Sequence, residues 1–322
     1  MSPDHDTCHC GHQHPQGAKH IYIYSPSSAV RDKAAFRRGV KRLQKLGYEV
    51  EVDADALSSH SRFAGDDATR LAAIHRAAAS GADVALISRG GYGLTRILAG
   101  IDYAAVARAI DGGMRFVGVS DFTAFQNAVL AQTGAATWAG PALCPDFGSK
   151  ELPDDIMEAC FDDLICGHGE GAGWRLPRSE PAAGAAAFEV SNARLWGGNL
   201  AVLASLVGTP YLPQVPGGIL FIEDVNEHPY RVERLLTQLL YAGVLAQQQA
   251  VIFGQFNGYT LVAHDKGFKL QSVVDWLRSQ IAAPVLTQLP YGHVQTKVCL
   301  PVGAQVELSV QGRDALLYWG HQ

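Results

Sequence analysis

The sequence predicts an α/β protein built on a parallel sheet and divided into two domains. Three observations carry this expectation. Short apolar runs alternate with amphipathic helical runs from Ile21 to Gln132, the pattern of strands joined by crossover helices. The chain of 322 residues is long enough for two ordinary domains. Between about Asp146 and Asn192 the periodicity dissolves into Gly, Ala, Pro and acidic residues, as in Gly167-His168-Gly169-Glu170-Gly171-Ala172-Gly173, which reads as a crossover between domains plus a surface loop. The expected organisation is a tail over 1–19, an N-terminal domain over 20–150, a linker and loop over 151–190, and a C-terminal domain over 191–322.

Each element has its own signal. Ile21 to Tyr24 is a short apolar strand that ends at Ser25-Pro26-Ser27-Ser28. A helix follows with Phe36, Val40, Leu43 and Leu46 on one face and Arg37, Arg38, Lys41 and Arg42 on the other, stopped by Gly47; the basic face reads as a solvated surface. Tyr48 to Val52 is a strand, Asp66 to Ala79 a helix, Val84 to Ser88 and Phe116 to Val119 two further strands, and Phe122 to Gln132 a helix. Beyond the crossover, Leu200 to Val207 and Pro229 to Ala242 read as helices, the latter with proline in its first turn. Ile219 to Ile222, Val251 to Phe253 and Val285 to Leu289 read as strands, and the runs from Lys297 to Trp319 as antiparallel strands.

Composition excludes several classes. Hydrophobic residues at 48% and charged residues at 18% indicate a globular chain rather than a disordered one. A net charge of −5 with no basic block beyond one helix face argues against a nucleic-acid partner. No apolar run approaches the ~20 residues of a membrane span, and the polar first residues lack the basic-then-apolar order expected of a secretory signal. Cys144, Cys160, Cys166 and Cys299 are scattered without disulfide spacing; a cytoplasmic location is the expectation. Cys8 and Cys10 lie in the run His5 to His14, rich in soft ligands, which reads as a flexible tail able to take up metal adventitiously.

In open parallel sheets chemistry occurs at the carboxyl ends of strands, where Ser25, Ser88 and Ser120 all fall. Gly118-Val119-Ser120-Asp121-Phe122 matches a nucleophile elbow, G-x-S-x-G, without its second glycine. There the serine hydroxyl is exposed beside the first amides of a helix, which can hold an oxyanion. Ser-Asp before an apolar run is equally a plain helix N-cap. Arg89-Gly90-Gly91-Tyr92-Gly93 fails the spacing of phosphate-binding loops; it reads either as a turn needing glycine or as the source of an amide aimed at Ser120. Glu223 and Asp224 end a buried strand and need a partner. His293, in a turn after another buried strand, is a natural one, so a Ser–Glu–His arrangement of Ser120, Glu223 and His293 can be entertained.

These segments, in order, resemble the LD-carboxypeptidase family of serine peptidases, which includes muramoyltetrapeptide carboxypeptidases and microcin C self-immunity peptidases. The resemblance runs through Ser88-Arg89-Gly90-Gly91-Tyr92-Gly93 with Arg96, the elbow, Leu195-Trp196-Gly197-Gly198-Asn199-Leu200, Gly208-Thr209-Pro210, Phe221-Ile222-Glu223-Asp224 with Tyr230 to Arg234, and Gly292-His293 followed by Leu300 to Gly303. It covers nearly all of Ile21 to Leu308; the tail has no counterpart. It implies an N-terminal parallel α/β domain, a β-rich C-terminal α/β domain, and an active site in the cleft between them. Nucleophile, acid and base fall on Ser120, Glu223 and His293, and the oxyanion amides on Gly91 and Asp121. It implies release of the terminal D-Ala from murein tetrapeptides in peptidoglycan recycling, with no metal or organic cofactor, by a homodimer. Cleavage of a peptide–nucleotide conjugate, with Trp174 stacking on the base, and non-catalytic binding of a murein peptide are the alternatives. Arg89, Arg96 or a purely backbone site could hold the substrate carboxylate, Tyr92 could line the pocket, and Trp196 either lines it or packs in the core.

Overall fold

The computed structural model describes residues 17–180 and 187–320; the run His5 to His14 lies outside them. In chain order the elements are β1 (His20–Tyr24), α1 (Lys33–Lys45), β2 (Glu49–Val52), α2 (Asp67–Ala79), β3 (Val84–Ile87), α3 (Tyr103–Asp111), β4 (Arg115–Gly118), α4 (Phe122–Thr133) and β5 (Thr137–Ala139). Then come α5 (Asp155–Cys166), β6 (Gly171–Arg175), β7 (Phe188–Asn199), α6 (Leu200–Ser205), β8 (Ile219–Val225), α7 (Pro229–Tyr241), β9 (Ala250–Asn257), α8 (Leu270–Gln280), β10 (Val285–Leu286), β11 (Leu300–Val302), β12 (Gln305–Gln311) and β13 (Asp314–Tyr318).

Among the described residues these strands form two sheets. The first has the order β11-β5-β4-β3-β1-β2, and the second β10-β9-β8-β7-β12-β13-β6. β1 to β5 run parallel, and the central strand β3 is wholly apolar and buried, as a strand with helices on both faces requires. The second sheet is parallel across β10, β9, β8 and β7, then antiparallel through β12, β13 and β6. The α/β class, the parallel N-terminal sheet and the β-rich second half are as expected.

Short polar caps set the helix starts. Asp32, Asp66, Asp102 and Asp154 accept backbone N–H bonds at the first turns of α1, α2, α3 and α5. α4 differs: every residue from Phe122 to Leu130 is buried. A helix covered on all sides belongs inside the molecule, and α4 packs against the first sheet on one side and against β7 and α6 on the other.

Three features depart from the sequence reading. The stretch read as linker and loop holds α5, which buries Met157, Phe161, Leu164 and Ile165 on one face, and β6, which pairs with β13. Acidic residues dilute the signal of α5, and Gly171 and Gly173 that of β6. The basic face of α1 is not simply solvated: Arg38 donates to the Gly148 carbonyl at 2.8 Å, and Arg42 to the carbonyls of Phe147 and Ser149 at 2.9 and 2.8 Å. The C-terminal strands do not all stay together. β11 joins the first sheet antiparallel to β5 and then leads through Gly303-Ala304 into β12 of the second, so one continuous segment ties the two sheets.

The cap of α5 can be tested. Asp154 accepts from the amides of Ile156 and Met157 at 3.1 and 3.0 Å and from the Thr296 hydroxyl at 2.6 Å. Asp154→Ala should lower stability by about 1–2 kcal/mol in denaturant unfolding; an unchanged midpoint would show that the helix does not depend on this cap.

Candidate active site

Ser120 follows β4 at the carboxyl edge of the first sheet with φ of +68°, a left-handed conformation that a residue with a side chain adopts only at some cost. Its carbonyl accepts the Thr123 amide at 3.0 Å, and no side-chain cap opens α4. The plain N-cap role is therefore not what the hydroxyl performs. The adjacent strand β3 ends in the Gly-rich turn, which closes on the elbow. A Cβ added to Gly90 would stand 2.7 Å from the Ser120 Cβ and 3.0 Å from its Oγ.

That turn is held from both sides. The Ser28 hydroxyl accepts the Tyr92 amide at 3.0 Å. Gly91, at φ +112°, passes so close to Ser28 that a Cβ would meet its Oγ at 2.2 Å. On the other side, the Asp121 carboxylate accepts the Leu94 amide at 2.9 Å. Burial pushes the Asp121 carboxyl upward, opposed by the backbone N–H donors of the turn. Among the described residues, neither the Gly91 nor the Asp121 amide donates to a protein acceptor.

The second sheet supplies the partners. Glu223 on β8 is fully buried. Its Oε2 lies 2.8 Å from His293 Nδ1, and its Oε1 accepts from Asn199 Nδ2 at 3.3 Å. Parallel pairing of β7 with β8 sets Asn199 directly opposite Glu223. Burial alone pushes the His293 imidazolium down, but the hydrogen bond and charge of Glu223 outweigh it, and the net shift is upward. Asp224, next along β8, does not hydrogen-bond to His293 among the described residues but shares Asn199 with Glu223. It accepts from Asn199 Nδ2 at 2.9 Å and from the Ala201 amide at 2.9 Å. Burial, with Glu223 adjacent, pushes its carboxyl up to about 6.

Ser120, Gly91 and His293 line one cavity of 380 Å³, with Arg31, Asp32, Arg89 and Cys144. Burial pushes the Cys144 thiol up to about 12, so it offers no competing thiolate. A larger cavity of 630 Å³ adjoins along Val119, Pro145 and His293 and contains the buried pair Lys297–Asp146, 2.8 Å apart. No direct hydrogen bond joins Ser120 to His293 among the described residues, an open arrangement common before substrate binds.

The other sequence candidates fall away from this centre. Arg96 pairs with Asp67 at 2.9 Å. Trp196 is buried and donates to Gln248 at 2.8 Å, so it belongs to the core. Tyr92 is exposed and packs on Phe63. Trp174 lies in β6 and donates to the Thr287 carbonyl at 3.0 Å, outside the lining of the Ser120 cavity. Ser25 and Ser88 hydrogen-bond to each other at 2.5 Å in a buried pair. Sequence reasoning assigned no role to Ser28, Thr123 or Asn199. The Thr123 hydroxyl accepts the Asn199 amide at 2.9 Å, which links α4 to the end of β7. A polar residue after the glycine pair Gly197-Gly198 at a strand end was the available signal.

Comparison with known proteins agrees with this architecture. Residues 21–140 match the model of the LD-carboxypeptidase N-terminal domain, and residues 192–308 that of the C-terminal domain. The chain is 29% identical over 282 residues to a probable murein peptide carboxypeptidase of Bacillus subtilis, covering 86% of this chain and 85% of the relative. It is 30% identical over 297 residues to a putative carboxypeptidase of Synechocystis sp., covering 91% and 92%. The crystal structure of muramoyltetrapeptide carboxypeptidase from Oxalobacter formigenes superimposes with a TM-score of 0.84 at 36% identity, over 94% of this chain and 99% of that one. The chain belongs to the LD-carboxypeptidase family of serine peptidases.

Proposed function

We propose that this protein is a serine LD-carboxypeptidase that releases the terminal D-Ala from murein tetrapeptides, with Ser120 as nucleophile, His293 as base and Glu223 as its orienting acid. The observation that carries the reading is the Glu223–His293 pair opening onto the cavity that holds Ser120. Glu223 on Nδ1 leaves Nε2 as the basic nitrogen. Nε2 takes the Ser120 proton as Oγ attacks the carbonyl at the L-centre of the third residue. The amides of Gly91 and Asp121 hold the oxyanion, each contributing on the order of 3 kcal/mol to the transition state. The imidazolium then protonates the leaving D-Ala amine, the C–N bond breaks, and an ester on Ser120 remains. Water, deprotonated by the same nitrogen, attacks that ester and returns Ser120 with the tripeptide acid.

The relatives named for murein peptides support this substrate. The conjugate-cleaving alternative is less favoured, because its aromatic candidate Trp174 lies outside the lining of the Ser120 cavity. Among the described residues, no helix is long and apolar enough to cross a membrane. A cytoplasmic homodimer completes the proposal on the strength of the family resemblance. Light scattering should give the mass of two chains; a single-chain mass at working concentration would contradict the dimer.

Purified protein with chelator present should release D-Ala from murein tetrapeptide, and Ser120→Ala should lose at least about 10³-fold in kcat; comparable turnover by the variant would remove Ser120 from the chemistry. His293 must be neutral to act, and its imidazole is held above the ordinary histidine value of 6.5. kcat/KM should therefore fall as pH drops through a pKa above 6.5. Glu223→Gln should move that limb to lower pH and slow the reaction by about 10³-fold. A limb unmoved by the variant would detach Glu223 from His293.

A further inference from the structure

A carboxypeptidase must recognise a free carboxylate next to the bond it cuts, and a partly buried cation without its own acid is a natural receptor. Arg89 meets that description. It follows Ser88 at the end of β3, is half-buried, and lines the same cavity as Ser120 and His293. Its Nη1 donates to the Ala29 carbonyl at 3.0 Å, and among the described residues no carboxylate pairs with it. Its charged neighbours are cations, Arg31 and Arg62; burial and their like charge push its pKa down. Such a group gains most when an anion enters.

Two other arginines near the turn already have partners. Arg96 is bound by Asp67 through Nε and Nη2 at 3.2 and 2.9 Å. Arg70 is fully buried against Asp67 and the carbonyls of Pro26 and Gly93. The one carboxylate that lines the cavity, Asp32, is occupied in capping α1, where it accepts from Ala34 and Ala35 at 2.8 and 2.9 Å.

We propose that Arg89 anchors the terminal carboxylate of the substrate, with Arg31 adding to the local positive field. The assignment rests on the hydrolytic reading above and gives it a specificity determinant. Position supports the terminal carboxylate over others in the peptide. Arg89 Nη2 would lie 3.8 Å from a Cβ on Gly91, beside the turn that carries the oxyanion amide. The terminal carboxylate is the anion nearest the scissile nitrogen, two bonds beyond it. An arginine presents paired donors that match a carboxylate in plane, so it also orients the leaving residue.

The test compares murein tetrapeptide with the same peptide ending in D-alaninamide. Wild-type protein should prefer the acid by about 10²-fold in kcat/KM. In Arg89→Gln that preference should collapse to within about threefold of unity, chiefly through KM for the acid, and Arg89→Lys should recover part of it. Thermal unfolding of each variant checks the fold. An undiminished preference in Arg89→Gln, or equal losses on acid and amide with the fold intact, would overturn the assignment. Calorimetry of both peptides on Ser120→Ala, with and without Arg89→Gln, separates the two levels. If wild-type protein turns over neither peptide, the hydrolytic reading fails; loss of acid-selective binding on Arg89→Gln would still support the anchor, and unchanged or absent binding would overturn it.

Discussion

A carboxylate with no exposure to solvent is the constraint around which this molecule is arranged. Glu223 is fully buried, and an unpaired charge there would cost several kcal/mol. Two donors offset that cost, His293 Nδ1 and Asn199 Nδ2. Each arrives from a different segment. Asn199 is delivered by the parallel register of β7 on β8, and His293 by the turn after β10, where Asn257 donates to its backbone carbonyl at 2.8 Å. Removing either donor would leave the carboxylate under-partnered, so the site and the stability of the second sheet share the same atoms.

The network also crosses to the first sheet. Asn199 donates its amide to Thr123, and Asn127 donates to the Gly197 carbonyl at 2.9 Å. Both acceptor and donor lie on α4, the buried helix that begins directly after Ser120. The strained elbow at Ser120 is thus fixed at its helical end by the strand that positions Glu223. At its other end it is fixed by the Gly-rich turn, which Ser28 and Asp121 clamp. Two sheets that pack along one helix therefore present Ser120 and the Glu223–His293 pair to the same cavity, with the geometry set by backbone registers rather than by flexible side chains.

Much of this was legible in the sequence because it is local. Apolar runs ending on Ser88, Ser120 and Glu223 marked strand ends, and the family resemblance placed the acid on Glu223 rather than Asp224. What brings Ser120, Glu223 and His293 into proximity is long-range pairing, which no single segment encodes; only their ordered resemblance to a family pointed to it. The helix α5 was hidden by its acidic face and β6 by its glycines. The exchange of β11 into the first sheet left no trace in composition, because an apolar antiparallel strand reads the same in either sheet. The clamp by Arg38 and Arg42 was missed for a related reason: a basic helix face looks solvated until the loop that covers it is known. Trp174 illustrates the opposite error, in which a large aromatic read as a base-stacking residue donates a hydrogen bond within the second sheet and lies outside the Ser120 cavity.

The central claim is that Ser120 is a nucleophile activated by a Glu223–His293 pair contributed by the other sheet. Phosphonylation by a fluorophosphonate, followed by peptide mass mapping, tests it most directly, since the reaction needs an activated serine and no substrate recognition. The account predicts labelling at Ser120 in the wild-type protein, with a rate that rises as His293 loses its proton, and its loss in a folded His293→Ala variant. Label on another residue, or labelling of Ser120 indifferent to His293, would contradict it.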